Sequence, residues 1–360
     1  MTRLLKLIYF AGLISLLSAC ETNTSKQGVT FTVDSFRRYA VSLDRSKKFG
    51  NDTLLLTHPR LVRIHPQGFL LLKESTPEGQ LAIVDLMTGT KSVKIKRGRG
   101  PKEVFNVRDI VAQDSCIWVS DIQQSKVIHL ALSRDTRTFQ IDSVYRFADV
   151  QFLRISPFVD NGFLALNMTL PGERMLVFDG KGNVSKTAGS YPPLDKTPDI
   201  VPNNSILQSD ISVAPDLEHT AVVCRSIDYI DIYDSDLTLK KRLRGPMGAE
   251  IGVETVTKNG NTRFLQKPMY FMYNNITSNK DRFMVGYVGV KPEPDSADDT
   301  GIRSIFVFDW NGTPLKSYDF DRRIAAFDMD WERNEIYCLV ETPEPKIFVV
   351  DLASIERDAE

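Results

Sequence analysis

Ile305-Phe306-Val307-Phe308-Asp309-Trp310-Asn311-Gly312 is an apolar run that ends in an aspartate and is followed by a glycine turn. Versions of it recur along the chain. They are Leu81-Ala82-Ile83-Val84-Asp85 with Gly89 beyond it, Met175-Leu176-Val177-Phe178-Asp179 with Gly180 and Gly182, Ile230-Asp231-Ile232-Tyr233-Asp234, and Ile347-Phe348-Val349-Val350-Asp351. A weaker copy, Val127-Ile128-His129-Leu130-Ala131, lacks the aspartate. Measured between final residues, the copies lie 46, 48, 55, 75 and 42 residues apart. A period of roughly 40–50 residues with several short strands per unit marks a β-propeller. The aspartates end the same strand of each unit, where an Asp side chain caps the following turn. That placement weighs against a carboxylate pair for acid–base catalysis.

Outward from these runs, each unit divides into strands separated by Gly, Pro and Thr clusters. Unit one gives 60–64, 68–73, 81–86 and 91–96, and unit two 107–112, 116–120, 126–132 and 141–147. Unit three gives 152–156, 163–168, 174–179 and 184–188, and unit four 207–213, 219–224, 228–234 and 238–243. Unit five gives 272–277, 282–288, 304–309 and 314–320. Unit six has only 325–330, 335–340 and 346–351 before the chain nearly ends. Val29, Phe31 and Val33 alternate with polar residues as an orphan strand, and residues 35–57 lead into the first blade. The orphan would supply the missing outer strand of unit six and remove an open edge. The expected fold is all-β: a six-bladed β-propeller of four-stranded blades over 29–360, its ring closed by an N-terminal strand. Helical periodicity is absent beyond the first 20 residues. Cys116, Cys224 and Cys338 fall in second strands of alternate units, too far apart to pair, and are expected to be free and buried.

The N-terminus reads as a targeting signal. Arg3 and Lys6 precede an apolar stretch from Leu7 to Ala19, shorter than the ~20 residues a spanning helix needs. Leu17-Ser18-Ala19-Cys20 follows, and it resembles the bacterial lipobox. That resemblance implies a signal peptide at 1–19, cleavage before Cys20, and acylation of the Cys20 thiol and its new amine. Acyl chains contribute ~0.8 kcal/mol per buried CH₂, so several hold a protein stably at a membrane. Glu21 follows the cysteine where an Asp would suggest inner-membrane retention, so the outer membrane is expected. The small polar residues of 20–28 form a tether.

With 42% hydrophobic residues, 25% charged and a net charge of −1, the chain has no disorder signature and no basic excess for nucleic acid. The sequence has no CxxC, HExxH or G-x-S-x-G motif, and His58, His65, His129 and His219 lie in or beside strands of different units. No metal and no cofactor is expected. The long connections Arg97–Asn106, Gly189–Ile206, Gly245–Met269 and Gly289–Arg303 should share one face around the channel, with short turns such as Pro66-Gln67-Gly68 and Asn311-Gly312 on the other. Long loops on a rigid scaffold carry function. On that face Arg97, Arg99 and Lys102 form a basic loop that an anion could enter, and Arg263, Tyr270 and Tyr273 could stack on or pair with a ligand. Each has a structural alternative as blade-to-blade packing. Lys291–Thr300 holds Asp295, Asp298 and Asp299 without calcium-loop spacing and reads as a solvated loop.

The stretch Gly98-Arg99-Gly100-Pro101-Lys102-Glu103-Val104 resembles the G-x-G-P-x-E-[FV] junction of NHL-like six-bladed propellers, where it is largely structural. Together with the repeat and the lipobox it resembles TolB-like propeller lipoproteins of Bacteroidetes. The resemblance implies a six-bladed ring and a lipid anchor and brings no catalytic residues. Two functions are therefore expected to compete. One is an envelope lipoprotein that binds a protein or glycan at the long-loop face. The other is a propeller enzyme of lactonase or glutaminyl-cyclotransferase-like type with its site at the channel mouth.

Overall fold

The computed structural model describes residues 28–50, 56–147, 150–168, 172–192, 207–249, 251–258, 261–291, 300–341 and 343–359. Three short strands come first: β1 (Val29–Thr30), β2 (Arg37–Val41) and β3 (Lys47–Lys48). Blade one is β4 (Val62–His65), β5 (Phe69–Lys73), β6 (Leu81–Asp85) and β7 (Lys91–Lys94). Blade two is β8 (Val107–Gln113), β9 (Cys116–Asp121), β10 (Lys126–Ser133) and β11 (Thr138–Arg146). Blade three is β12 (Phe152–Pro157), β13 (Phe163–Asn167), β14 (Met175–Phe178) and β15 (Val184–Ala188). Blade four is β16 (Ser209–Val213), β17 (His219–Cys224), β18 (Tyr229–Asp234) and β19 (Leu239–Arg244). A hairpin, β20 (Gly252–Lys258) and β21 (Asn261–Lys267), leads to blade five: β22 (Phe271–Ser278), β23 (Arg282–Val290), β24 (Ile302–Asp309) and β25 (Pro314–Ile324). Blade six is β26 (Ala326–Asp330), β27 (Glu335–Val340) and β28 (Lys346–Asp351), after which helix α1 (Leu352–Asp358) ends the chain.

Within each blade the strands pair in chain order, and the inner strands meet in the order β4, β8, β12, β16, β22, β26 and back to β4. The ring is thus closed and six-bladed. Blade faces are buried on both sides, which explains the continuous apolar runs. In β6, Leu81 and Ile83 pack toward blade two while Ala82 and Val84 pack toward blade six, as a period of two requires. The core is accordingly six apolar seams, one between each pair of neighbouring blades.

The N-terminal closure holds, but by different residues from those expected. Val29–Thr30 pairs parallel to β19 of blade four, and Arg37–Val41 pairs parallel to β25 of blade five. Lys47–Lys48 is the strand that completes blade six, antiparallel to β28. Residues 28–49 therefore form a belt across three blades. Of the strand expected over Val29–Val33 only Val29–Thr30 is strand, on blade four and not blade six, and Val33–Ser35 is a single 3₁₀ turn. Phe31 and Phe36 decide the path, because both rings insert at the seam between blades four and five, Phe36 stacked on Phe306 at 4.5 Å. Two further expectations are corrected. The insertion before blade five is an ordered hairpin, and α1 is a helix too short to show periodicity in the sequence.

The turn aspartates act as read. The Asp179 side chain accepts from the Lys181 and Asn183 amides, Asp234 from Asp236 and Thr238, and Asp309 from Thr313, while Asp351 caps α1 through Ser354. Cys116, Cys224 and Cys338 are free and sit in second strands, Cys116 half-buried and the other two buried. Among the described residues no helix is long and apolar enough to cross a membrane. Cys20, the signal and tether segments, and Asp295, Asp298 and Asp299 lie outside the described residues.

Candidate functional site

Each inner strand begins on the same face, and each second strand returns to it, so the long connections and the upper mouth of the channel share that face. The first strand of every unit carries a polar residue ahead of Ile or Met: Arg63-Ile64, Asp109-Ile110, Arg154-Ile155, Asp210-Ile211, Asn275-Ile276 and Asp328-Met329. These six form a belt of contacts around the channel. Arg63 donates to the Ile110 carbonyl (3.2 Å) and lies 3.5 Å from Asp109. Arg154 lies 3.8 Å from Asp109 and donates to Asp210 at 2.6 Å. The Asn275 amide donates to Asp210 (3.3 Å), the Asn275 Oδ1 accepts from Phe327 N (3.2 Å), and Asp328 accepts from Ile64 N (2.7 Å). Every blade is thereby linked to the next.

Burial alone would raise the Asp210 carboxyl, but Arg154, Arg225 and Arg108 hold it well below the usual carboxylate range. Burial disfavours charge on Arg154 too, and Asp210 and Asp109 more than compensate. Beside this belt stand further cations, Arg60, Lys73, Arg108 and Arg225. Burial, with Arg154 and Arg225 close by, lowers the Arg108 pKa to about 10. Burial and then Arg108, Arg154 and Arg60 lower that of Lys73. Lys73 donates to Asn106 (2.9 Å), Arg225 to Asn274 (3.4 Å), and Arg60 pairs with Glu341 (3.1 Å). A cavity of about 50 Å³ opens among Arg60, Arg63, Arg154, Asp210, Asn274 and Asn275. On the opposite face a wider cavity of about 200 Å³, bounded by Ile110, Ile211, Met329 and Trp331, continues the channel. Among the described residues no group of three or more His, Cys, Asp or Glu side chains could hold a metal.

The residues singled out from sequence go elsewhere. The Arg97 and Arg99 guanidiniums lie over the Phe105 ring at 5.2 and 5.7 Å, and Lys102 is exposed. Their loop is built around Glu103, which accepts from Gly100 N at 2.8 Å. A Cβ on Gly98 would come within 2.0 Å of that carboxylate, and one on Gly100 within 2.8 Å, so a side chain at either position would push the Glu103 carboxylate out of this place. Lys126 reaches the Gly100 carbonyl at 3.2 Å from below. Tyr273 is 1% exposed and donates to Asp228 at 2.5 Å, so its ring belongs to the seam between blades four and five and offers no stacking surface. Tyr270 is half-buried against the same seam. Arg263 stands opposite Val256 in the hairpin, and its side chain lies outside the described residues. None of these residues lines the channel-mouth cavity. Of those that do, Arg63, Asp109, Arg154, Asp210 and Asn275 hold the polar position before Ile in their first strands, a signal present in the sequence.

A family model described as TolB-like 6-blade propeller-like matches residues 90–332, well over half of the chain. The chain belongs to that family. A solved structure similar to this TolB-like propeller is a Bacteroides fragilis NCTC 9343 protein described as exported, with 12% identity, a TM-score of 0.52, and coverage of 88% of this chain and 99% of that one. A streptogramin B lyase structure matches at 11% identity and TM-score 0.48, covering 84% and 96%. The β-propeller domain of Myceliophteria thermophila Cps50 (Swd1) matches at 12% and 0.46, covering 84% and 99%. At these identities the likeness concerns the fold. Among curated proteins none matches this TolB-like propeller in sequence.

Proposed function

We propose that this TolB-like propeller is an exported lipoprotein of the bacterial cell envelope, anchored at the outer membrane through Cys20. Its ring is a binding module that engages a protein or glycan partner on the long-connection face. The observation that carries the binding reading is the set of cations on that face, Arg60 lining the mouth cavity, Arg225 donating to Asn274 on its wall, and Lys73 and Arg108 beside them. Burial disfavours the charged forms of Lys73 and Arg108, and an external anionic group offsets that cost. The lipobox at Leu17–Cys20 and the export of the Bacteroides structural neighbour support the location.

Two measurements test the reading. Wild-type protein should partition into detergent with the mass of an acylated N-terminus, and Cys20→Ala should be unprocessed and unlipidated. Detergent partition of the variant with an unchanged mature mass would remove the anchor. Capture from envelope extracts should weaken, with a flatter salt dependence, when Arg60 and Arg225 at the channel mouth are both changed to Gln. Gln67→Ala and Asn311→Ala on the opposite face should leave capture unchanged, and the reverse pattern refutes the choice of face.

A further inference from the structure

Below the polar belt the first strands repeat one more feature. Ile64, Ile110, Ile155, Ile211, Ile276 and Met329 each follow the belt residue of their strand, and all of them line the lower cavity of about 200 Å³. They form an aliphatic collar inside the channel, which opens between the turns at Pro66, Pro157 and Pro215. The charged residues on its lining are Arg63, Asp109 and Asp328. Arg63 lies 3.5 Å from Asp109, so these two match each other. Asp328 is 4% exposed, and its Oδ2 accepts from Ile64 N at 2.7 Å, but its Oδ1 has no hydrogen-bond partner among the described residues. Burial raises this carboxyl above the usual carboxylate range, and Arg63, the Thr277 hydroxyl and the Ile64 amide lower it only in part. An acceptor left unsatisfied in a buried site costs stability that a bound donor restores.

We propose that the lower channel is a binding site for a primary ammonium group carried on a compact hydrocarbon chain, with the ammonium donating to Asp328 and the chain packed inside the aliphatic collar. An ammonium is a compact charge with three donors and no acceptor. Asp328 Oδ1 takes one donor, and the Thr277 hydroxyl on the same lining is a second acceptor. With Arg63 and Asp109 matched, the lining carries one net negative charge, which repels a carboxylate ligand and gives a neutral alcohol no ionic attraction. An aliphatic cavity of ~150 Å³ holds benzene, so about 200 Å³ holds a ligand of roughly six to eight non-hydrogen atoms. A free amine and a lysine side chain both carry this chemistry. The inference rests on the ring alone, because it uses the mouth opposite the long-connection face and needs no envelope partner.

The test is calorimetric titration of detergent-solubilised full-length protein, with micelles alone as blank, using pentylammonium, pentanol and pentanoate at neutral pH and matched ionic strength. Pentylammonium should bind saturably and more tightly than the other two. Asp328→Asn should weaken pentylammonium by about tenfold or more, the loss expected for a hydrogen bond to a charged group, and leave pentanol as in wild type. Ser156→Leu, which narrows the cavity from blade three, should weaken pentylammonium and pentanol alike, and it gives a second reading if Asp328→Asn folds poorly. Arg225→Gln, at the other mouth, should bind as wild type. The methylamide of Nα-acetyl-lysine separates the two sources: binding tighter than that of pentylammonium assigns a lysine side chain, and weaker binding assigns a free amine. Pentanol or pentanoate binding as tightly as pentylammonium overturns the proposal, as does wild-type pentylammonium affinity in a folded Asp328→Asn or in Ser156→Leu. Either result would leave the capture experiment, which reads the opposite face, free to succeed.

Discussion

His65 ends β4 with its ring enclosed by Phe69 and Phe139, and its Nδ1 accepts from Gln67 N at 3.1 Å. Burial lowers its pKa from 6.5 to about 4. The unfolded chain therefore binds a proton that the folded chain refuses, and stability falls as pH drops from about 6.5 to about 4. The full effect is roughly 3 kcal/mol at ~1.4 kcal/mol per pH unit. Denaturant titration across that window should show the slope in wild type and a flatter one in His65→Phe. Asp210 acts at lower pH. Its carboxylate, stabilised by Arg154, Arg225 and Arg108, supports the fold above the ordinary carboxylate pKa near ~4, and that support is lost as pH falls below it. Breaking the buried pair with Arg154→Met should cost about 3–5 kcal/mol, measured by chemical denaturation, because Asp210 stays desolvated and loses the guanidinium bonded to it.

At the scale of elements, the N-terminal belt makes the sharpest distinction. Phe49 N donates to the Ile347 carbonyl at 2.8 Å beside the two-residue strand β3. Phe49→Pro removes that donor and should speed hydrogen exchange in Lys346–Asp351, while deletion of 28–34 should leave blade six protected. Phe36→Ala should cost about 3–5 kcal/mol, since its ring is enclosed by Phe31, Phe306 and Phe308. The blade strands were legible because apolar runs and capped turns are local signals. Ile305–Asp309 and its copies each announce a third strand without knowledge of the rest. The belt was not legible in the same way, because two residues of pairing at Lys47–Lys48 leave no periodicity, and their partner lies 300 residues away in the sequence.

In the whole molecule, six similar seams and one polar belt close on themselves, so no blade can loosen without disturbing two neighbours. Phe308→Ala, at the seam of blades four and five, should lower a single calorimetric transition rather than split it. The candidate site shows the same division between local and distant signals. Arg63, Asp109, Arg154 and Asp210 stand in the sequence as isolated charges in first strands, but only ring closure turns them inward together. Arg154 and Asp210, 56 positions apart, meet only there. The belt of residues 28–49 has a further consequence for a ring held from its N-terminus. It attaches at the rim of blade four and runs from β1 through β2 to β3 before the first blade begins. Tension along the chain therefore meets three fasteners in series. The two-residue pairing on β19 gives way first and the five-residue pairing on β25 next, so slack is released twice before any load reaches the clasp on blade six.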